Sequence, residues 1–337
     1  MSKLLIKLTP LEPYFLGGER IFEKGDGNKH YFIRSMDTPS QTTLFGVLRY
    51  ICLKNPAARE SRPGGVIGIG KTGYRIDSPS EEGFGKIRGI SPLYLLDKSG
   101  AYWMPVPFDH VVSCDCSKEL LQVYTRFEDY SDPIQTVRGK RRFPEKYNGK
   151  NGVTNGWLCI ENRRVRSDLF TGITQIGINR KNTDKALFKK EYKRLENGFC
   201  FAFFADVAED FSTPQRVAYL GQSKSPFGVE VSPDAVEPEI PNDLLRPGIA
   251  YAQSDIYYTG DIQTLYNSCQ FICTQTRDYK IFAESYLNRN KDRDRVVKLI
   301  RAGSVFWPND PATFRAAIQN DHAAIAGFNK IFIGGDA

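Results

Sequence analysis

Residues 187–207 read Leu-Phe-Lys-Lys-Glu-Tyr-Lys-Arg-Leu-Glu-Asn-Gly-Phe-Cys-Phe-Ala-Phe-Phe-Ala-Asp-Val. The charges of 187–195 suit a surface helix or an edge strand equally. Asn197-Gly198 decides between them, because that dipeptide is the strongest short hairpin signal. The aromatic run after it is a buried strand. The stretch therefore predicts a hairpin, 187–196 against 199–207, and an antiparallel sheet.

The same reading extends outward. Leu4, Ile6 and Leu8 alternate with Lys7 and Thr9, so the chain opens on a half-buried strand. Leu93–Leu96 and Ala101–Val106 flank Asp-Lys-Ser-Gly and predict a hairpin. Arg216–Gln222 and Phe227–Val231 predict another strand pair, and Ile331–Ile333 a closing strand. Thr38-Pro39-Ser40-Gln41 reads as an N-cap, a proline at the first helical position and a glutamine three residues after the cap. Leu44, Val47, Leu48 and Ile51 then recur at helical spacing. Asp310-Pro311 starts a second helix by the same logic, and Gly327 ends it. The pattern predicts an α+β fold with antiparallel sheets and helices on one face. Two ferredoxin-like, RRM-like units fit it. The first is residues 1–205, with irregular insertions near 56–92 and 126–156, and the second is 206–337.

The 337 residues are 41% apolar and 25% charged, an ordinary globular balance. Lysine and arginine number 46 against 39 acids, a net +7, which fits one basic surface better than a basic tail. Seven cysteines, an odd number with no zinc-pair spacing, read as reduced and buried. No run reaches membrane length and the first residues carry no signal peptide, so a cytoplasmic protein is expected.

Catalytic constellations are thin. Gly65-Val-Ile-Gly-Ile-Gly70-Lys71-Thr72 matches the P-loop letters, and Gly68–Gly73 the dinucleotide pattern. Both need a strand before and a helix after, so that helix N–H groups hold the phosphates. Arg62-Pro63-Gly64 before, and Gly73 and Pro79 after, leave room for neither. His30, His110 and His322 stand at no metal-ligand spacing. His30, in a loop beside Lys29, is the one candidate acid or base on RNA. No catalytic residue, cofactor or metal is expected.

The remaining features suit phosphates and bases. Ser40, Gln41, Thr42 and Thr43 open a helix whose N–H groups and hydroxyls could receive a phosphate, with Arg34 and Arg49 adding charge. The same residues are also ordinary capping residues. Arg138-Gly-Lys140-Arg141-Arg142 could track a backbone or be a solvated loop. Arg163-Arg164-Val165-Arg166 and Asn179-Arg180-Lys181 give further basic edges.

The order of these pieces resembles the RAMP proteins of CRISPR–Cas systems, and among them the type III-B Cmr subunit that binds the guide-RNA tag. The matching stretches are Thr9–Gly18, Asp37–Arg49, Met104–Asp109, Gly172–Arg180 running into Ala186–Phe188, Tyr219–Phe227 and Ala302–Phe306. The resemblance implies two ferredoxin-like halves without catalysis, holding the 5-prime tag of the CRISPR guide RNA. It implies contacts with the large palm-domain subunit and a backbone subunit. Gly17, Gly18, Ser40–Thr43 and the loop Gly221–Gly228, with Gly221, Lys224, Ser225 and Phe227, become RNA-contact candidates. The family's C-terminal glycine-rich loop is reduced to Gly327 and Gly334-Gly335. Two other functions stay open at this level. One is a RAMP-fold CRISPR RNA-processing endoribonuclease using His30, and the other a P-loop nucleotide-binding protein.

The missing strand–helix frame yields the first prediction: the purified chain turns over neither ATP nor GTP. A phosphate-release assay checks it, and turnover abolished by Lys71→Ala is the contrary result.

Overall fold

A computed structural model describes residues 3–17, 20–22, 30–54, 74–77, 84, 87–113, 120–123, 134–136, 139–141, 155–179, 186–207, 216–221, 223–241, 247–280 and 296–335. In chain order these form β1 (Lys3–Pro10), β2 (Arg20–Phe22), β3 (His30–Arg34), α1 (Gln41–Lys54), β4 (Ile87–Ile90), β5 (Tyr94–Asp97) and β6 (Tyr102–Pro105). Then come β7 (His110–Ser113), β8 (Leu120–Val123), β9 (Ile134–Thr136), β10 (Gly139–Arg141), β11 (Trp157–Cys159) and β12 (Val165–Arg166). They are followed by β13 (Phe170–Asn179), β14 (Ala186–Leu195), β15 (Phe199–Val207), β16 (Val217–Leu220) and β17 (Ser225–Ser232). The C-terminal part holds β18 (Ala250–Ala252), β19 (Ile256–Tyr257), α2 (Ile262–Asn267), β20 (Cys269–Cys273), β21 (Thr276–Lys280), β22 (Val296–Ile300) and β23 (Val305–Pro308). It closes with α3 (Pro311–Ile318), α4 (Asp321–Ile325) and β24 (Ile331–Ile333).

Antiparallel sheets with few helices confirm the α+β expectation. The largest sheet runs β12-β11-β6-β5-β15-β1-β17-β16, with β4 also on β15. A second runs β20-β23-β18-β24. The hairpins 94–97/102–105 and 217–220/225–232 pair as the sequence indicates.

Layering follows from which side chains β1 sends to each side. Leu4, Ile6 and Leu8 meet Leu44, Phe45, Leu48 and Ile51 of α1 together with Phe201 and Phe203. Leu5, on the other face, meets Phe204, Tyr94 and, from the second sheet, Tyr251, Val305 and Trp307. The second sheet's far face, Ala250, Ala252 and Phe306, is covered by Leu265 of α2 and by Phe314 and Ile318 of α3. The order is helix, sheet, sheet, helices. The first strand is thus buried along one face, as expected, while on the other only Leu5 is covered by the second sheet. Burying its four leucine and isoleucine side chains contributes about 6–12 kcal/mol, counted against an extended chain.

Several expectations are corrected. Asn197-Gly198 makes a turn, Phe199 N–H donating to Glu196 O at 3.2 Å, but β14 and β15 do not pair. Of the two central residues only Gly198 has positive φ, +89°. The two-residue hairpin turn of type I′ needs positive φ at both, so this turn splays the strands into different sheets. β14 instead pairs with β13 and, in parallel, with β3. The helix cap is Ser40, not Thr38. Its hydroxyl accepts from Thr43 N–H at 3.3 Å and its carbonyl accepts the first helical bond, from Leu44 N–H, at 3.0 Å. The second helix is two short ones, capped by Asp310 and Asn320, and Gly327 follows the latter. A boundary at 205 also fails, because β17 pairs with β1 in the first sheet and the second sheet starts only at Ala250. Within the stretch read as an irregular insertion, Tyr74, Ile76 and Phe84 are buried in the main core. His30 begins a strand rather than lying in a loop.

Glycine fixes how the two layers meet. Phe108 N–H donates to Gly303 O and Gly303 N–H to Ala252 O, both at 2.8 Å, and Tyr251 Oη donates to Pro105 O at 2.7 Å. Gly303 has φ +95°, and a Cβ there would stand 2.6 Å from Phe108 Cε1 and 2.9 Å from Val106 O. Gly303→Ala adds left-handed strain of roughly 1–2 kcal/mol to that clash. A melting temperature lower by several degrees is expected by calorimetry.

Candidate nucleic-acid interface

Residues 13–17 lead from β1 onto β14. Tyr14 and Lys193 exchange backbone hydrogen bonds of 2.8 and 2.9 Å. Phe15 N–H donates to Ser225 Oγ at 2.9 Å, and Leu16 N–H to Ser35 Oγ at 3.0 Å. Gly17, at φ +79°, accepts from Met36 N–H at 2.7 Å. The turn Gly221–Lys224, between β16 and β17, closes on this loop. Gly221 has φ +71°, and a Cβ there would collide with Phe15 O. Lys224, also left-handed at φ +52°, donates its N–H to Gly221 O at 3.1 Å. Its side chain is exposed.

On one face of β14, Lys190 completes the cluster. Its ammonium lies 3.8 Å from the Phe15 ring centre and 4.8 Å from that of Tyr192, and it donates to the Ser223 hydroxyl. The rings of Phe15 and Tyr192 meet edge-on at 5.7 Å. A cation held over two rings beside a turn of exposed backbone suits an RNA phosphate next to a base. On the other face of β14, Glu191 pairs with Arg34 at 3.6 Å and with Lys193 at 2.9 Å, and Lys193 reaches Asp37 at 3.2 Å. Partial burial opposes the charge on Lys193, yet Glu191 and Asp37 outweigh it and hold the ammonium above its usual pKa.

Thus Gly17, Gly221, Lys224 and Ser225 come together around Phe15, and Arg34 lies across β14 from them. The start of α1 is held elsewhere. Ser40 and Gln41 are 7% and 6% exposed. Gln41 Nε2 donates to Ser91 O at 3.0 Å and Gly327 O at 2.9 Å, and Thr42 bonds the Tyr279 hydroxyl of β21. The Ser40 hydroxyl sits 2.9 Å from that of Thr43. Arg49 lies 5.8 Å from the Phe84 ring, and burial lowers its pKa. Phe227 is 0% exposed, packed on Tyr14 and Phe201, and presents no surface to a ligand. Ser225 is buried with its hydroxyl committed to Phe15. Lys140 and Arg141 lie on β10, paired with β9. Gly18, Arg138, Arg180 and the P-loop-like Gly65–Thr72 lie outside the described residues.

Sequence reading missed Phe15, Lys190 and Tyr192. Their signal was an aromatic at the tip of Tyr14-Phe15-Leu16 and a cation two residues before a tyrosine on a strand. His322 is committed internally, its ring stacked on Tyr74 at 4.9 Å and its Nε2 2.6 Å from Arg75 O. Among the described residues no three His, Cys, Asp or Glu side chains could hold a metal ion, and no helix is long and apolar enough to cross a membrane. Burial pushes the Cys52 and Cys269 thiols up to about 12.

With these stacked antiparallel sheets, a match of the CRISPR-associated Cas_Cmr3 family model to nearly the whole chain makes this a RAMP-kind subunit of type III CRISPR effector complexes. The chain belongs to the CRISPR-associated Cas_Cmr3 family, whose model matches residues 6–335. A chain of the type III-B Cmr-beta complex, solved by cryo-EM bound to cognate target RNA, is similar in fold. Its TM-score is 0.54 and its identity 13%, over 98% of this chain and 96% of that one. A chain from the same complex bound to cognate target RNA and AMPPnP gives TM-score 0.52 and identity 14%, with the same coverage. No curated protein matches the sequence.

The Gln41 geometry separates a structural role from an RNA contact. Gln41→Ala leaves two buried carbonyls without a partner, at about 1–3 kcal/mol for each. Chemical denaturation is expected to show that loss of stability, while RNA affinity of the folded fraction stays at the wild-type value.

Proposed function

We propose that this chain is the non-catalytic subunit that holds the 5-prime tag of the guide RNA in a type III-B effector complex. On this reading it also contacts the large palm-domain subunit and a backbone subunit. The observation that carries the proposal is the Lys190–Phe15–Tyr192 cluster with the Gly221–Lys224 turn, in a chain matched by the Cas_Cmr3 model almost end to end. The cluster offers a cation beside the exposed turn residues Gly221, Ser223 and Lys224 and the partly exposed Tyr192, which is equipment for phosphates and not for cleaving bonds.

Both units are read as ferredoxin-like. The second follows β-α-β-β-α-β as β18, α2, β20, β23, α3 and β24, in the spatial order β20-β23-β18-β24. In the first, β1, α1, β5, β15 and β17 stand in the equivalent order β5-β15-β1-β17. That shared order supports the reading.

Lys190→Glu and Lys224→Glu test the proposal. Each is expected to weaken guide-RNA retention in the assembled complex. Each should also lessen the slope of log affinity on log salt, by roughly 0.7 per lost phosphate contact on a single strand. The stability of Lys224→Glu should change by no more than about 1 kcal/mol, as for an exposed charge. Full retention by both variants in filter binding and pull-down would overturn the site.

A further inference from the structure

The large sheet has a face that the second sheet covers only in part. Leu5, Tyr94, Ala202 and Phe204 are buried under the second sheet. Farther along the same face the register runs Lys7 to Glu230, Thr9 to Gly228, and Tyr219 to Pro226. There the burial stops: Thr9 and Glu230 are exposed, Tyr219 is 61% exposed and Leu11 57%. Gly228 makes a hollow in the middle. A Cβ at that position would lie 3.5 Å from Leu11 Cδ2, so the leucine leans over it. Leu11 N–H donates to Pro226 O at 3.2 Å, which fixes the leucine beside the proline.

We infer that Tyr219, with Pro226, Gly228 and Leu11, is a stacking platform for a nucleobase of single-stranded RNA. This rests on the guide-RNA reading above and extends it from phosphates to a base. Three features select a base as the occupant. Tyr219 is on β16, and the turn Gly221–Lys224 that ends this strand is the turn that carries the phosphate-binding cluster. Ser225, which holds Phe15, faces the other side of the hairpin from Tyr219, so a strand that rounds the turn at Lys224 on the sheet edge meets Tyr219 next. The cation Lys7, 3.8 Å from Glu230, lies on the same face of the sheet. Among the described residues the apolar surface is small, Tyr219 and Leu11 with the partly buried Val217 and Pro226. That matches one ring and falls short of the roughly 800 Å² per partner that a stable protein interface buries. Tyr219 and Pro226 side chains lie on the face opposite to Ala218 and Phe227, which are in the core, and Tyr219 is 61% exposed.

The test is fluorescence anisotropy with the full chain and two labelled probes of equal length, a single-stranded oligoribonucleotide and its abasic counterpart. The wild type is expected to bind the base-bearing probe more tightly. Tyr219→Ala should weaken that probe by about 5- to 150-fold, the range to which about 1–3 kcal/mol per stacked base converts, and leave the abasic probe unchanged. Tyr219→Phe should retain the wild-type affinity, since the face and not the hydroxyl is used. Equal binding of both probes by the wild type overturns the platform and leaves the phosphate cluster standing. Binding of neither probe overturns the RNA reading itself. If Tyr219→Ala binds both probes as the wild type does but no longer assembles with the other effector subunits, the face is a protein contact and the inference fails.

Discussion

One buried amide joins the parts of this molecule. Gln41, at the first turn of α1, gives both hydrogens of its Nε2 to carbonyls 50 and 286 residues away in sequence, those of Ser91 and Gly327. It thereby fixes the helix to the segment before β5 and to the C-terminal turn after α4. Gly327 has φ +81°, and a Cβ there would collide with Gln41 Nε2, so the turn can approach only as glycine. Phe328, the next residue, is fully buried in the core that α1 shares with β1. With Thr42 bonded to Tyr279, the start of α1 is an internal joint between the two layers.

Much of this was legible in the sequence, and the failures share a cause. Period-two and helical spacing located β1, β5, β6, β16, β17, α1, α3 and β24, because those signals depend on local geometry. Local signals do not say which sheet a strand joins. Asn197-Gly198 marks a real turn, but the φ of Asn197 sends the chain out of one sheet and into another. Leu5 looked like a solvent-side position until a second sheet, built from residues beyond 249, covered it. At the site the same limit acts twice. Ser40 and Gln41 have the chemistry of a phosphate site, yet their partners come from residues 43, 91 and 327 and lie inside. Lys190 looked like ordinary surface charge, and only the fold sets Phe15 and Ser223 against it.

The two units share a strand order but are finished differently. The second has helices α2 and α3 over its outer face. The first has α1, with Ala323 of α4 and Leu299 of β22 packed into the same core, and one of its edges is the short hairpin of β16 and β17. The edge, with its tight glycine turn, is where backbone, cations and aromatic rings come to the surface.

The position of β1 also has a consequence for how the protein is made. Leu4-Leu5-Ile6 leave the ribosome well before the partners of β1, which are β15 and β17, residues 199–207 and 225–232. At typical elongation rates the strand waits about 10–40 s for them. During that interval an apolar strand with two open edges is exposed on the nascent chain, where it can pair with other strands. Cellular yield will therefore depend on holding factors that shield the first ten residues, and on translation speed through the middle of the message, as much as on the stability of the finished fold.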